Sequence, residues 1–286
     1  MATAIPQAAE AHAMRCMEIW GGNQAIDNAV SVPGIDAWVY SRPYAGDTSG
    51  GDIHYVSLCG GGKIARFAVA DVSGHGASVG EVAVKLRSLM RRHINTVNQT
   101  RFIRALNQEF TSLESGGRFA TALLSTYYAP NDHLVVCNAG HPAPLWYRAA
   151  NATWRPLVHQ MAERVKSLAN LPLGIIEPTQ YHQFAVRLEP GDLVLLFTDS
   201  LIEAVGPDGA QLGPEGLLEI VRRLDPMRPE RICAELLKTV AAYRGGAPEG
   251  DDVTVLLLRH NARNPDRQPV GEMIRIVGKM LGLLRV

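Results

Sequence analysis

Phe67-Ala68-Val69-Ala70-Asp71-Val72-Ser73-Gly74-His75-Gly76 is the stretch that decides how this chain folds. The run Ile64 to Ala70 is short, largely apolar and without helical periodicity, so it reads as a strand. It stops at an aspartate in a turn where Gly74 and Gly76 let the backbone bend tightly. Beyond Gly76 the period changes. Val79, Val82, Ala83, Leu86, Leu89 and Met90 recur at three- and four-residue spacing, and Phe102, Ile103, Leu106, Phe110 and Leu113 do the same. Two amphipathic helices are therefore predicted between Ala77 and Leu113.

Upstream, Asp36 to Tyr44 and Ile53 to Leu58 read as strands, the first with Trp38 and Tyr40 on one face and Val39 on the other. Downstream, strand-like runs return at Phe119 to Tyr128, Leu134 to Cys137, Pro144 to Tyr147, Leu193 to Phe197 and Val253 to Leu258. Pro214 to Leu224 and Pro229 to Tyr243 read as helices, each with proline near its start, where a missing N–H costs little. Strands thus cluster and helices come in pairs, unlike the alternation of a parallel α/β sheet. The prediction is an α+β domain of mostly antiparallel strands over residues 31–260. An alanine-rich, partly helical extension is expected over 1–30. A polar linker from 261 and an amphipathic helix, Met273 to Leu284, complete 261–286.

Of the 286 residues, 47% are hydrophobic, enough for a sizeable core. Basic and acidic residues balance at 28 each, which argues against a nucleic-acid binder working by broad phosphate attraction. Met1 to Ala13 lacks the basic start and apolar run of a secretory signal, and no stretch is long and apolar enough to span a membrane, so a cytoplasmic protein is expected. Cys16, Cys59, Cys137 and Cys233 form no C-x-x-C pair and read as reduced thiols.

Four aspartates stand out by position. Asp52 ends Gly50-Gly51-Asp52, Asp71 follows an apolar strand, Asp199 follows Leu193 to Thr198, and Asp251 precedes Val253 to Leu258. Antiparallel strands bring their ends to one rim, where clustered carboxylates repel and raise one another's pKa values. A hard divalent cation, Mg²⁺ or Mn²⁺, relieves that conflict with oxygen ligands. Two such ions about 3.5–4 Å apart share an oxygen and activate a water for in-line attack on phosphorus. No C-x5-R phosphatase loop offers a cysteine nucleophile instead. A lone aspartate after a strand is also a common turn former or helix cap, and Asp132, Asp208 and Asp225 are read that way.

Five ordered motifs now carry a resemblance: Gly50-Gly51-Asp52, Asp71-Val72-Ser73-Gly74-His75-Gly76, Asn138-Ala139-Gly140-His141-Pro142, Phe197-Thr198-Asp199-Ser200-Leu201-Ile202-Glu203 and Gly250-Asp251-Asp252-Val253-Thr254. From about Ile35 to Arg259 the chain resembles type-2C-like, metal-dependent protein serine/threonine phosphatases, in the bacterial branch named after the stage-II sporulation E phosphatase. The resemblance implies a sandwich of two antiparallel sheets flanked by helix pairs. It implies that Asp71 bridges two Mn²⁺ or Mg²⁺ ions, with Asp199 and Asp251 on the first and Asp52 and the Val72 backbone carbonyl on the second. His75 has two readings, a proton donor to the leaving serine oxygen or a turn histidine holding the glycine loop. His141 and Asn138 are read as shaping the sheet, Thr198, Thr254 and Glu203 as supporting residues, and Asp252 as a strand-start residue.

The chain departs from the pattern at Ile53-His54-Tyr55-Val56, where many relatives carry another acidic residue, and at Ser200, where glycine is common. The substrates implied are phosphoserine or phosphothreonine on small regulatory proteins, anti-sigma-factor antagonists among them, with an activator protein as a further partner. The N-terminal segment also reads as covering an exposed sheet face or forming a dimer contact, and the basic C-terminal helix as a membrane-surface or partner-docking element, with packing on its own domain or on a second copy preferred. The rival readings are a weak or inactive binding module on the same fold, a hydrolase of small phosphorylated metabolites, and a purely structural interaction protein.

Overall fold

The computed structural model describes residues 11–74, 76–113, 117–159 and 169–264. In chain order the elements are β1 (His12–Ala13), β2 (Ile19–Gly22), β3 (Ile26–Val32), β4 (Ile35–Arg42), β5 (Ile53–Cys59), β6 (Ile64–Val72), α1 (Ala77–Arg92) and α2 (Gln99–Leu113). There follow β7 (Ala120–Tyr128), β8 (His133–Ala139), β9 (Leu145–Arg148), β10 (Thr153–Pro156), β11 (Gln183–Arg187), β12 (Leu193–Phe197), α3 (Gly213–Val221), α4 (Pro229–Tyr243) and β13 (Val253–His260).

The strands build two sheets. One has the order β1-β3-β4-β13-β12-β9-β10 and the other β11-β8-β7-β6-β5-β2. Every pairing is antiparallel except the short β1–β3 contact. Period-two alternation sorts each strand's side chains between two faces. In β6, Ala65, Phe67 and Val69 enter the core between the sheets, while Ala68, Ala70 and Val72 face α1 and α2. In β13, Leu256 and Leu258 enter that same core, while Val253, Val255 and Leu257 face α3 and α4. The layers are therefore helix pair, sheet, sheet, helix pair, as expected. The α1 stripe Val79, Val82, Ala83, Leu86, Leu89 and Met90 is buried throughout, whereas Leu113 at the end of α2 is 52% exposed.

The N-terminal expectation needs correction. Where a partly helical lead was predicted over 1–30, the described part is extended, and β2 and β3 join opposite sheets. The alanines that suggested helix lie before residue 14, outside these strands. Gly21-Gly22 and the Val30–Val32 alternation favour strand. Val32 and Ile35 pair across Pro33-Gly34, and Gly34 sits at φ +84° with no room for a Cβ against the Tyr127 phenol. The domain thus starts before residue 31. The predicted Met273 to Leu284 helix and residue His75 lie outside the described residues. No helix among the described residues is long and apolar enough to cross a membrane.

Candidate metal centre

The register sends the ends of β5, β6, β12 and β13 to one rim. Ile53 pairs with Ala70, Phe197 with Val255, and Val253 with Arg42. Asp52 therefore stands just before β5, Asp71 at the end of β6 opposite Thr121, Asp199 just after β12, and Asp251 and Asp252 just before β13. Each sheet contributes two strand ends. Gly50 and Gly51 permit the close approach: a Cβ on Gly50 would collide with the Asp252 carboxylate, and one on Gly51 would lie 2.8 Å from the Val72 carbonyl oxygen. The Val72 N–H also donates to the Gly51 carbonyl at 3.3 Å, which sets the Val72 backbone beside the Asp52 loop.

Two groups hold the rim in shape. Asp252 is buried and accepts the backbone N–H groups of Tyr44 at 2.6 Å, Gly51 at 2.5 Å and Asp52 at 3.3 Å. It organises the loop that carries Asp52, a larger task than that of the strand-start residue it was read as. Thr198, fully buried, donates through Oγ1 to Asp52 Oδ2 at 2.9 Å and accepts the Thr254 N–H at 3.0 Å. It clamps a carboxylate of one sheet to the strand end of the other. Ser41 Oγ and Thr254 Oγ1 are 2.9 Å apart behind it.

The electrostatics follow from burial and like charge. Burial pushes the Asp71 carboxyl up to about 8, helped by Asp199, Asp251, Asp252 and Glu203. Asp52 is held well above the usual carboxylate range, first by burial and then by Asp71 and Asp252, against the Thr254 and Thr198 hydrogen bonds. Burial and Glu203 raise Asp199. The nearby cations are engaged elsewhere. Arg42 Nε donates to Glu249 at 3.0 Å, and buried Arg244 donates to the Ser200 carbonyl at 3.0 Å with Glu249 at 3.6 Å.

Asp52, Asp71, Asp199 and Asp251 are thus brought to one rim, while His75 lies outside the described residues. As they stand, no three histidine, cysteine, aspartate or glutamate side chains among the described residues converge to hold an ion. The donor set is nonetheless all oxygen, with Asp52 buried and Asp71, Asp199 and Asp251 half-buried, which suits a hard divalent ion. His141 shapes the sheet as expected: its N–H donates to Asn138 Oδ1 and Asn138 Nδ2 donates to its carbonyl, both at 2.8 Å. Its ring, with Nδ1 2.7 Å from Thr121 Oγ1, is pushed by burial down to about 4 and stays neutral near pH 7. Gly76-Ala77-Ser78-Val79-Gly80 matches the spacing of a nucleophile elbow, but Ser78 is exposed on the first turn of α1 and accepts from Arg118 at 3.2 Å, with no histidine bound to it among the described residues.

The model of the Stage II sporulation protein E (SpoIIE) family matches residues 61–261. Phosphoserine phosphatase RsbU of Bacillus subtilis (strain 168) is 24% identical over 179 residues, 61% of this chain and 48% of that protein, so the chain spans about half the length of this curated relative. The RsbU and RsbW domains of Rv1364c from Mycobacterium tuberculosis superpose with a TM-score of 0.66 at 25% identity, covering 88% of this chain and 69% of that one. The catalytic domain of the serine threonine protein phosphatase PstP, solved in complex with 2 manganese ions, shares the fold with a TM-score of 0.55 at 15% identity over 79% of this chain and 97% of that one.

Proposed function

The chain belongs to the stage II sporulation protein E family, and from that premise we propose that it is a metal-dependent protein serine/threonine phosphatase working at the aspartate rim. One observation carries the proposal: Asp71 is half-buried among acidic neighbours and held at about 8. Such an arrangement is costly for a structural carboxylate and useful for binding cations.

In this reading Asp71 is shared between two Mn²⁺ or Mg²⁺ ions. Asp199 and Asp251 complete the protein ligands of one, and Asp52 with the Val72 carbonyl serve the other. PstP, of the same fold, holds manganese. Bound, such ions supply charge neutralisation for a phosphoryl group and an activated water. The chain's own residues do the positioning. Thr198 fixes the Asp52 Oδ2 oxygen and so orients the carboxylate. Asp252 fixes the Gly50–Asp52 loop through three backbone donors. His141, neutral and tied to Thr121, orients the strand end opposite Asp71 and supplies no proton.

The Bacillus relative is a phosphoserine phosphatase, so the substrate proposed is phosphoserine or phosphothreonine on a regulatory protein, with anti-sigma-factor antagonists as the class. A second reading, a weakly active module, is favoured by the stretch Ile53-His54-Tyr55-Val56, where many relatives carry a further acid and this chain has none; His54 in it is buried beside Trp20 and pushed down to about 4. Hydrolysis of p-nitrophenyl phosphate and of a phosphoserine peptide, with Mn²⁺, Mg²⁺ or EDTA, separates the two. Metal-dependent turnover abolished by Asp71→Ala supports the enzyme. A folded, metal-loaded protein with no turnover on either substrate supports the module.

A further inference from the structure

The helix-facing side of the second sheet carries a charge that the rim does not use. Ile19, Ser57 and Arg66 stand in one register row across β2, β5 and β6. Arg66 is only 3% exposed. Its Nη2 donates to the Thr96 carbonyl at 2.8 Å and its guanidinium lies 5.6 Å from the Phe102 ring centre, but Nε and Nη1 have no partner among the described residues. The neighbouring Gln99 Oε1 and Tyr55 hydroxyl are likewise unpaired. A buried guanidinium without an anionic partner is strongly disfavoured.

Tyr55 is the wall between this chamber and an open groove. The groove, about 320 Å³, runs between β2 and α1 and is lined by Ile19, Gly21, Tyr55, Arg87, Ser88 and Arg91. The Tyr55 phenol feels the charges of Arg66 on one side and Arg91 on the other. Arg87 and Arg91 lie one turn apart on α1. Arg87 donates only to the Gly21 carbonyl, at 3.4 Å, and Arg91 has no acidic partner among the described residues. No acidic side chain lines the groove. β2 is the end strand of its sheet and pairs only with β5 among the described residues, so its other edge meets no strand there and only the Arg87 side chain reaches its Gly21 carbonyl.

We propose that this groove docks an extended, acidic segment of a partner protein, which adds to the edge of β2 and sets carboxylates against Arg87 and Arg91. A strand-like guest uses the backbone edge that meets no further strand, and Ile19, 36% exposed, offers it an apolar seat. Neither residues 1–10, with one acid, Glu10, nor residues 265–286, with four basic residues against two acidic, have the composition of such a guest. The inference is independent of the phosphatase reading, because docking needs neither a metal nor turnover.

The test is a fluorescence-anisotropy titration of the full chain with a labelled peptide alternating glutamate and valine. Saturable binding is expected, weakened about tenfold or more by Arg87→Glu with Arg91→Glu. Basal hydrolysis by that variant is expected to be unchanged, and the peptide should slow amide exchange across Ile19–Gly22. If the double variant fails to fold, Ile19→Glu replaces it and should weaken binding in the same direction. Equal binding by the charge-reversed protein, no slowing at β2, equal capture of a lysine–valine peptide, or displacement of the peptide by inorganic phosphate at millimolar levels would each overturn the proposal.

Discussion

The two rims of the sandwich treat carboxylates in opposite ways. At the rim where β4 begins and β13 ends, every buried acid has donors. Asp192 accepts from Trp146 Nε1 at 3.2 Å and from the N–H groups of Ala149 at 2.8 Å and Glu189 at 3.1 Å. Asp132 accepts from the Tyr127 hydroxyl at 2.7 Å and pairs with His260 at 2.9 Å, and these partners hold its carboxyl below the usual range despite the opposing effect of burial. At the far rim Asp52, Asp71 and Asp199 are raised instead, by burial and by neighbouring carboxylates, Glu203 among them. Asp252 there takes three backbone donors, and it serves the loop. Satisfied carboxylates hold a fold together, whereas repelling ones mark a site whose function outweighs its cost in stability.

The largest test of that contrast is functional. Asp71→Ala should cut metal-dependent phosphatase turnover by on the order of 10³-fold, while Asp192→Asn should leave turnover per folded molecule unchanged within a few-fold. Steady-state kinetics on both variants checks this. An Asp192→Asn loss of the same size would erase the distinction.

Stability should respond in the reverse sense. Asp192→Ala strands the buried Trp146 Nε1 donor and removes the acceptor of two part-buried N–H groups, and should destabilise the chain by about 2–3 kcal/mol. Asp71→Asn removes a repelling charge and should raise the melting temperature of the metal-free protein at pH 8. Urea and thermal melts in EDTA measure both signs.

The pH dependence follows from the same group. Asp71 titrates at about 8 in the folded chain against an ordinary 3.8, so the folded state holds the proton more tightly. Its contribution to stability is complete below about pH 4 and is lost as pH rises through about 8. Metal-free wild type should therefore melt about 5 °C or more lower at pH 8 than at pH 5.5, with a smaller difference in Asp71→Asn. Added Mn²⁺ should recover more stability at the higher pH. The smallest effect belongs to Thr198→Val, which loses the bond to Asp52. It should cost about 1 kcal/mol and weaken the second ion about tenfold, read by Mn²⁺ titration.

Much of this was legible in the chain because strong periodicity reports burial. The stripes of α1 and most of α2 occupy one core, and Trp38 and Tyr40 separate from Val39 as alternation predicts. What escaped was short or at an edge. β10 and β11 alternate exposed and covered positions too weakly to stand out, and β2 and β3 were masked by an alanine-rich start. At the site, glycine-flanked aspartates at strand ends were visible. The Asp252 loop anchor was not, because its donors Tyr44, Gly51 and Asp52 lie some two hundred positions away. Arg66 gave no signal either: one arginine in an apolar run does not disclose whether it is paired.

The most direct test of the central claim is the stoichiometry of Mn²⁺ binding by isothermal titration calorimetry, beside Asp71→Ala and Asp132→Ala. The account predicts two ions per wild-type chain, loss of both in Asp71→Ala, and two retained in Asp132→Ala. Unchanged Mn²⁺ binding by a folded Asp71→Ala protein would contradict it.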